Sequence, residues 1–348
     1  MGMPVQLITF VFSAALAVLT VYLMVSGRDL LIPLVIAGIV WYIINALTRT
    51  YQRLPLGGWA MPRWLGLTGA LMTVFIALGF LADMIGNSLA AVTEAAPQYQ
   101  ANLEKLIEKA SKAFGLEHTP TFAQIFEEFD AKNIMLKFGT AAAGVAGNAG
   151  IILIYVMFLL IEQQSFDKKL KAIFPNPEKE KNARELLGRM QNDIQTYISI
   201  KTVVSLLTGG ISYIILKVVG VDFAEFWAFL IFLLNYIPTI GSIVGVVFPT
   251  LLTLVQFPSL IPFIIVAVGL GVTQFLVGNV LEPRLMGRSL NISSLVVIFS
   301  LALWGSIWGV AGMFLCVPIT VILMIVLAQF RQTRAIALAL SSDGNLKA

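Results

Sequence analysis

The sequence predicts an all-α polytopic membrane protein of about eight membrane segments, two of them interrupted, re-entrant helical hairpins related as a loose inverted repeat. Three observations predict it. The 348 residues are 58% hydrophobic and only 12% charged, about half the charge of a soluble domain. Apolar runs near twenty residues recur along the chain. Two more apolar runs are too long for one crossing, and each is broken by glycine and proline.

With a mean hydropathy of +0.88, such a chain could not cover its own surface with polar groups in water, which excludes a cytosolic enzyme. One Cys and one His (Cys316 and His118) exclude a disulfide framework and a His/Cys metal cluster, so no metal and no cofactor is expected. The net charge of +4 is too small to point to nucleic acid. No Gly-x-x-x-x-Gly-Lys-Ser/Thr phosphate loop and no Ser/His/Asp set is present, so neither an ATP motor nor a catalytic residue is expected.

Leu7–Val25, Leu30–Leu47 and Trp64–Ala82 read as three spans within an N-terminal block, residues 1–82. The first lacks a preceding Lys or Arg, so it reads as a retained helix rather than a cleaved leader. Residues 83–137 carry eight acids against five Lys, which suits the outer face. Within them Tyr99, Leu103, Leu106, Ile107, Ala110 and Phe114 share a helical stripe, and Phe122, Ile125, Phe126 and Phe129 repeat it. These read as amphipathic helices outside the membrane, packed on the protein's own spans or on another subunit.

A fourth span occupies residues 138–161. The basic segment 162–198 comes next and reads as a cytoplasmic amphipathic helix running into the fifth span, Ser199–Val219. Arg49, Arg53 and Arg63, the Lys-rich segment after the fourth span, and Arg331 with Arg334 all fall on one side, which places both termini in the cytoplasm. The tail occupies residues 331–348.

Residues 199–330 read as a transport core. Residues 223–257 would make about 50 Å of helix, too much for one crossing, and are interrupted at Asn235 through Ser242. Leu260–Leu281 is a normal span. Residues 292–330 are again too long and are broken at Trp304-Gly305, Gly309, Gly312 and Pro318. Ile240 through Thr250 loosely echo Trp308 through Thr320: glycines, a short bulky run, then Pro and Thr. Backbone broken at membrane depth persists only where protein buries it or it lines a wet cavity, and paired breaks point to a transporter site. Pro238, Gly241, Gly245, Gly305, Gly309, Gly312 and Pro318 are the expected breaks.

Around the first break, Pro238 cannot continue the helix and Thr239 or Ser242 could cap the second half-helix. The expectation is a cluster of free N–H groups facing a shared cavity, beside the Asn235 amide and Gly241. Gln274, Gly278 and Glu282 stand at helical spacing with Asn279 beside them, so all four are expected on one face. A carboxylate in the membrane needs a partner; Arg284 or Lys201 are the candidates, with Arg284 expected to hold the charge and Lys201 expected to snorkel. The substrate path is therefore expected at Asn235, Pro238, Thr239, Gly241, Ser242, Gln274, Asn279, Glu282 and Arg284.

Three stretches then carry a resemblance. They are Asn235-Tyr236-Ile237-Pro238-x-Ile240-Gly241-Ser242; Gly278-Asn279-x-Leu281-Glu282-Pro283-Arg284-x-Met286-Gly287-Arg288; and Trp304-Gly305 through Gly312-Met313 to Val317-Pro318-Ile319-Thr320. The combination resembles the autoinducer-2 exporter family of bacterial permeases, most strongly over residues 195–330; the one departure is Ile319, where Leu is common. The resemblance implies a bacterial inner-membrane protein that exports the furanone signal autoinducer-2 in quorum sensing. It also implies homo-oligomers, with a pentamer and an elevator-like motion as the form, and relatives that are sodium (or lithium)/proton antiporters. A coupling ion, proton or sodium, would then join the bilayer and a small polar solute as partners. The expectation is a secondary transporter, with a cation antiporter and a non-transporting membrane scaffold as the alternatives.

Overall fold

The computed structural model describes residues 5–53, 61–114, 147–286 and 291–344. His118, the stripe at Phe122–Phe129, Gly287, Arg288 and the first third of the fourth span lie outside the described residues. Twelve α-helices are described: α1 Val5–Ser26, α2 Arg28–Gln52, α3 Arg63–Phe114, α4 Ala149–Glu162, α5 Phe166–Ile173, α6 Pro177–Val219, α7 Ala224–Leu234, α8 Ile240–Gln256, α9 Ile261–Leu276, α10 Glu282–Met286, α11 Ser294–Gln329 and α12 Arg334–Leu340; a π-turn at Val277–Leu281 joins α9 to α10. No strand is described, and several of these helices are apolar enough to cross a bilayer, so the protein is an all-α, multi-pass membrane protein.

Two differences from the sequence reading concern helix ends. The third span is apolar over Arg63–Phe80, as expected, but its helix goes on: α3 runs unbroken to Phe114, through Pro97. The membrane helix and the expected amphipathic helix are one rod of 52 residues, about 78 Å long. At the other extreme α4 is followed by α5 at a 67° bend.

The chain forms two compact units, Met1–Val74 with Gly144–Gly188 and Ser293–Val326, and Phe75–Ala143 with Arg189–Ile292 and Leu327–Ala348. In the first, Ala37 and Ile44 of α2, Ala70 of α3 and Ile152 with Val156 of α4 form the core. Small residues at 37 and 70 let these helices approach closely. Trp41 donates its indole N–H to the Gln163 side chain at 3.0 Å, which fixes α2 against the end of α4. Arg184 near the start of α6 holds α5 through Asp167 at 2.6 Å and its own helix through Glu180 at 2.8 Å.

In this unit α11 folds back on itself. A straight helix would hold residues 300 and 320 about 30 Å apart, yet Thr320 Oγ1 donates to Ser300 Oγ at 2.9 Å. The turn lies at Gly309, with φ 61° and ψ −138°, a conformation that only glycine adopts without strain. On the returning arm Gly312 sits on the carbonyl of Trp304, where any Cβ would collide with that oxygen. Beside the turn, Trp308 Nε1 donates to the Met24 carbonyl at 3.0 Å, satisfying an acceptor that α1 leaves free at its end.

Four of the expected breaks are not breaks. Gly245, Gly305, Gly312 and Pro318 lie inside helical arms, and the non-helical backbone of α11 is confined to Gly309. Pro318 keeps helical geometry because a proline needs only the loss of one hydrogen bond, which neighbouring polar groups can offset. The three glycines serve close approach instead: Gly305 faces Met313, and Gly245 faces Ile231.

The second unit holds the other hairpin. α7 has 11 residues and α8 has 17, about 16 and 26 Å, and α7 is too short to cross a hydrocarbon core of about 30 Å. They pack on each other, and α8 packs on α9. Leu216, Val221, Ala224, Ile231, Val266 and Leu270 form the apolar core of this half. The two ends of the hairpin are tied together: Gln256 accepts from the Asp222 N–H at 2.9 Å and donates to the Gly220 carbonyl at 2.8 Å. The segment therefore enters and leaves at one end.

The distal part of α3 docks at that same base. Asn102 Nδ2 donates to the Gln256 carbonyl at 2.8 Å, and the Tyr99 hydroxyl donates to Asp222 at 2.7 Å. Partial burial and the carboxylate it bonds both push the Tyr99 hydroxyl above the usual phenol range, so it stays a donor. The C-terminal tail pins another loop: Ser342 N–H donates to the Asn291 carbonyl at 3.1 Å, beside the Ile292–Ser341 bridge.

Candidate functional site

The tip of the α7–α8 hairpin is a tight, strained turn. Tyr236 and Ile237 N–H groups bond back to Leu233 and Leu234 carbonyls, winding the end of α7 down. Pro238, Thr239 and Ile240 then form a γ-turn: the Ile240 N–H donates to the Pro238 carbonyl at 2.6 Å, and Thr239 has φ 63° and ψ −56°. A β-branched residue at positive φ is held there only by its surroundings.

The turn changes the expected chemistry. The N–H groups of Ile240, Gly241 and Ile243 find partners within it, at Pro238, Ile237 and Thr239. Thr239 makes no side-chain cap, and Ser242 Oγ donates to the Thr239 carbonyl at 2.7 Å. The expected cluster of free donors is thus corrected: a γ-turn consumes locally the donors that an open break would leave exposed. Thr239 is exposed and Ser242 half-buried, while Gly241 is buried on the Leu234 carbonyl, where a Cβ would collide.

The polar chemistry gathers on the inward face instead. Asn235, at the last turn of α7 and 6% exposed, donates to the fully buried Ser205 Oγ of α6 at 3.1 Å. Tyr236 shares a hydrogen bond of 2.7 Å with Thr202. One turn before Ser205 on the same helix stands Lys201, whose ammonium bonds Glu282 at 2.5 Å. The side chains are 5% and 17% exposed, so Lys201 is buried and Glu282 largely so. Lys201, Thr202, Ser205, Asn235, Tyr236 and Glu282 thus form one polar layer linking α6, the hairpin tip and the start of α10.

Two expectations about the charges are corrected here. Lys201 does not snorkel; it is the counter-ion of Glu282. Arg284 is exposed and makes no ion pair among the described residues. Successive helical residues turn by about 100°, so Arg284 two places on points away from its neighbour's partner.

The π-turn explains a third correction. Gln274 is buried, Gly278 and Glu282 are half-buried, but Asn279 is exposed. A π-turn holds more residues per turn than an α-helix, so positions four apart (Gln274, Gly278 and Glu282) keep one face while Asn279, three before Glu282, falls off it. It brings Glu282 round to Lys201 and turns Asn279 out. Gln274 faces Gly245, and its Nε2 has no partner among the described residues, nor do the hydroxyls of Thr250 and Ser212.

Sequence reading missed Thr202, Ser205 and Tyr236 as site residues, and it named Lys201 as a candidate partner of Glu282 but put Arg284 ahead of it. A signal for part of the layer was present: Lys201, Ser205, Thr208 and Ser212 recur at helical spacing in an otherwise apolar span, and such a stripe must face protein rather than lipid.

Helices that turn back within an apolar scaffold, and a carboxylate paired with an ammonium away from lipid, are features of membrane transport proteins. Comparison with known proteins gives the same class and narrows it. The family model described as AI-2E family transporter matches residues 7–332, and the chain belongs to that family. It is 29% identical over 322 residues to "AI-2 transport protein TqsA" of Escherichia coli strain K12, covering 90% of each chain. It is 31% identical over 325 residues to a Haemophilus influenzae protein named "Putative transport protein", covering 91% of this chain and 90% of the relative. YhhT of E. coli K12, which carries the same designation, is 28% identical over 301 residues, with 85% and 83% covered.

Proposed function

We propose that this chain is a secondary transporter of a bacterial inner membrane that exports a small polar solute, autoinducer-2. The cargo comes from the name of TqsA, with which the chain shares nearly its whole length. The observation that carries the reading is the hairpin tip itself. It holds a strained turn against a buried layer of hydroxyl, amide and paired charge, within a helical body otherwise apolar. Such groups hydrogen-bond a hydroxylated, uncharged molecule without costing it a counter-ion. Asn235, Ser205 and Gln274 are its proposed contacts, and Glu282 the proposed acceptor. Export down the solute's own gradient, or in exchange for protons entering down theirs, needs no catalytic residue.

The test is extracellular signal from a producing strain that lacks its own exporter. Cells given the wild-type gene should raise external autoinducer-2 several-fold over empty vector, and cells given Glu282→Gln should not. External signal equal in wild type and empty vector sinks the cargo. The scaffold alternative makes a different forecast: purified protein in liposomes moves no solute at all.

A further inference from the structure

We propose that Lys201 is a built-in counter-ion that keeps the polar layer electrically neutral and thereby shuts free cations out of it, so that the cargo class is neutral solutes bearing hydroxyl or carbonyl oxygens. The cargo class rests on the export reading, but the role of Lys201 stands on geometry. Every other group in the layer offers oxygen: the hydroxyls of Thr202, Ser205 and Tyr236, the Asn235 amide and the Glu282 carboxylate. A carboxylate with neutral oxygens about one helical turn away is a group that draws a hard cation. In this fold that set is filled from within. The Lys201 ammonium lies 2.5 Å from Glu282 with its side chain 5% exposed, too deep to be displaced by mere thermal excursion into water. No second cation among the described residues stands ready to replace it, because Arg284 is exposed and makes no ion pair there. Removing the ammonium leaves a largely buried carboxylate without its counter-ion, a state relieved by taking up an external ion.

Loss of the ammonium should therefore confer a gained property, which misfolding cannot imitate. Purified full-length protein is melted at about pH 8.5, where a carboxylate favours its charged form, in sodium chloride or choline chloride at equal ionic strength. Lys201→Met should melt about 3 °C higher in about 100 mM sodium than in choline. Wild type, Lys201→Arg and the double variant K201M/E282Q should show no difference between the salts. In proteoliposomes Lys201→Met should take up radioactive sodium about tenfold faster than wild type, the change that lowering the entry barrier by about 1.4 kcal/mol gives. Where Lys201→Met fails to fold, Lys201→Gln, which keeps a donor but not the charge, carries the same expectation. A sodium shift of equal size in wild type, or none in either charge-removed variant, overturns the proposal. Wild type that exports no autoinducer-2 beside a sodium-dependent Lys201→Met would sink the cargo and leave the counter-ion role standing.

Discussion

At the scale of single residues, the hairpin of α7 and α8 is decided by Thr239 and Gly241, for opposite reasons. Thr239 sits at φ 63° in a γ-turn that a β-branched residue adopts only at a cost. Thr239→Gly should therefore stabilise the folded protein by about 1 kcal/mol, read as a higher melting temperature in detergent; an unchanged or lower one argues against strain at the tip. Gly241 is intolerant for lack of space, because a Cβ would strike the Leu234 carbonyl, a backbone atom that cannot step aside. Gly241→Ala should cost about 2–3 kcal/mol. Gly210 on α6 has open space around it, and Gly210→Ala should be neutral or favourable by up to about 1 kcal/mol. Equal melting temperatures for the two alanine variants would remove the steric account.

Elements were legible to different degrees. Excess length with internal Pro and Gly announced both folded-back segments, because no helix of that length fits one bilayer crossing. The position of each turn was legible only in part. Pro238 and Gly309 mark turns, whereas Pro318 and Gly305 pass through helix, since a glycine or proline permits a break without forcing one. The π-turn was not legible at all: Val277–Leu281 has no composition that distinguishes it from α-helix, yet it rotates Glu282 onto Lys201. The base of the α7–α8 hairpin depends on Gln256, whose two bonds close the loop that the γ-turn opens. Gln256→Leu should cost about 1–2 kcal/mol and speed amide hydrogen exchange at the start of α7, measured by mass spectrometry. Unchanged exchange there would mean that the contact with Asn102 and Tyr99 holds the base alone.

At the scale of the molecule, the hairpin predicts a pattern of access. Both its ends lie at the base clamped by Gln256. Single cysteines at Glu225 and Ser259, in a Cys316→Ser background, should therefore react with a membrane-impermeant maleimide from the same side. α6 is 43 residues, about 64 Å, far more than the hydrocarbon thickness. A cysteine at Lys181, near its other end, should react from the opposite side. By the positive-inside pattern of its Lys and Arg residues, that end is expected on the cytoplasmic side. Glu225 and Ser259 reacting from different sides would turn α7 and α8 into a kinked crossing and remove the basis for a transport tip.

Composition and run length by themselves determined the solvent and the helical class and marked the two overlong segments that turn back, because a bilayer accepts few solutions and each leaves a mark on hydropathy. The family motifs at Asn235 and Glu282 carry two members of the polar layer, whereas Gly312 serves the turn of α11. Only the tertiary structure decided which charges pair. Lys201 and Glu282 stand 81 positions apart on different helices, and whether an ammonium reaches water or a carboxylate depends on helix phase, which one wide π-turn can alter without any sign in the sequence.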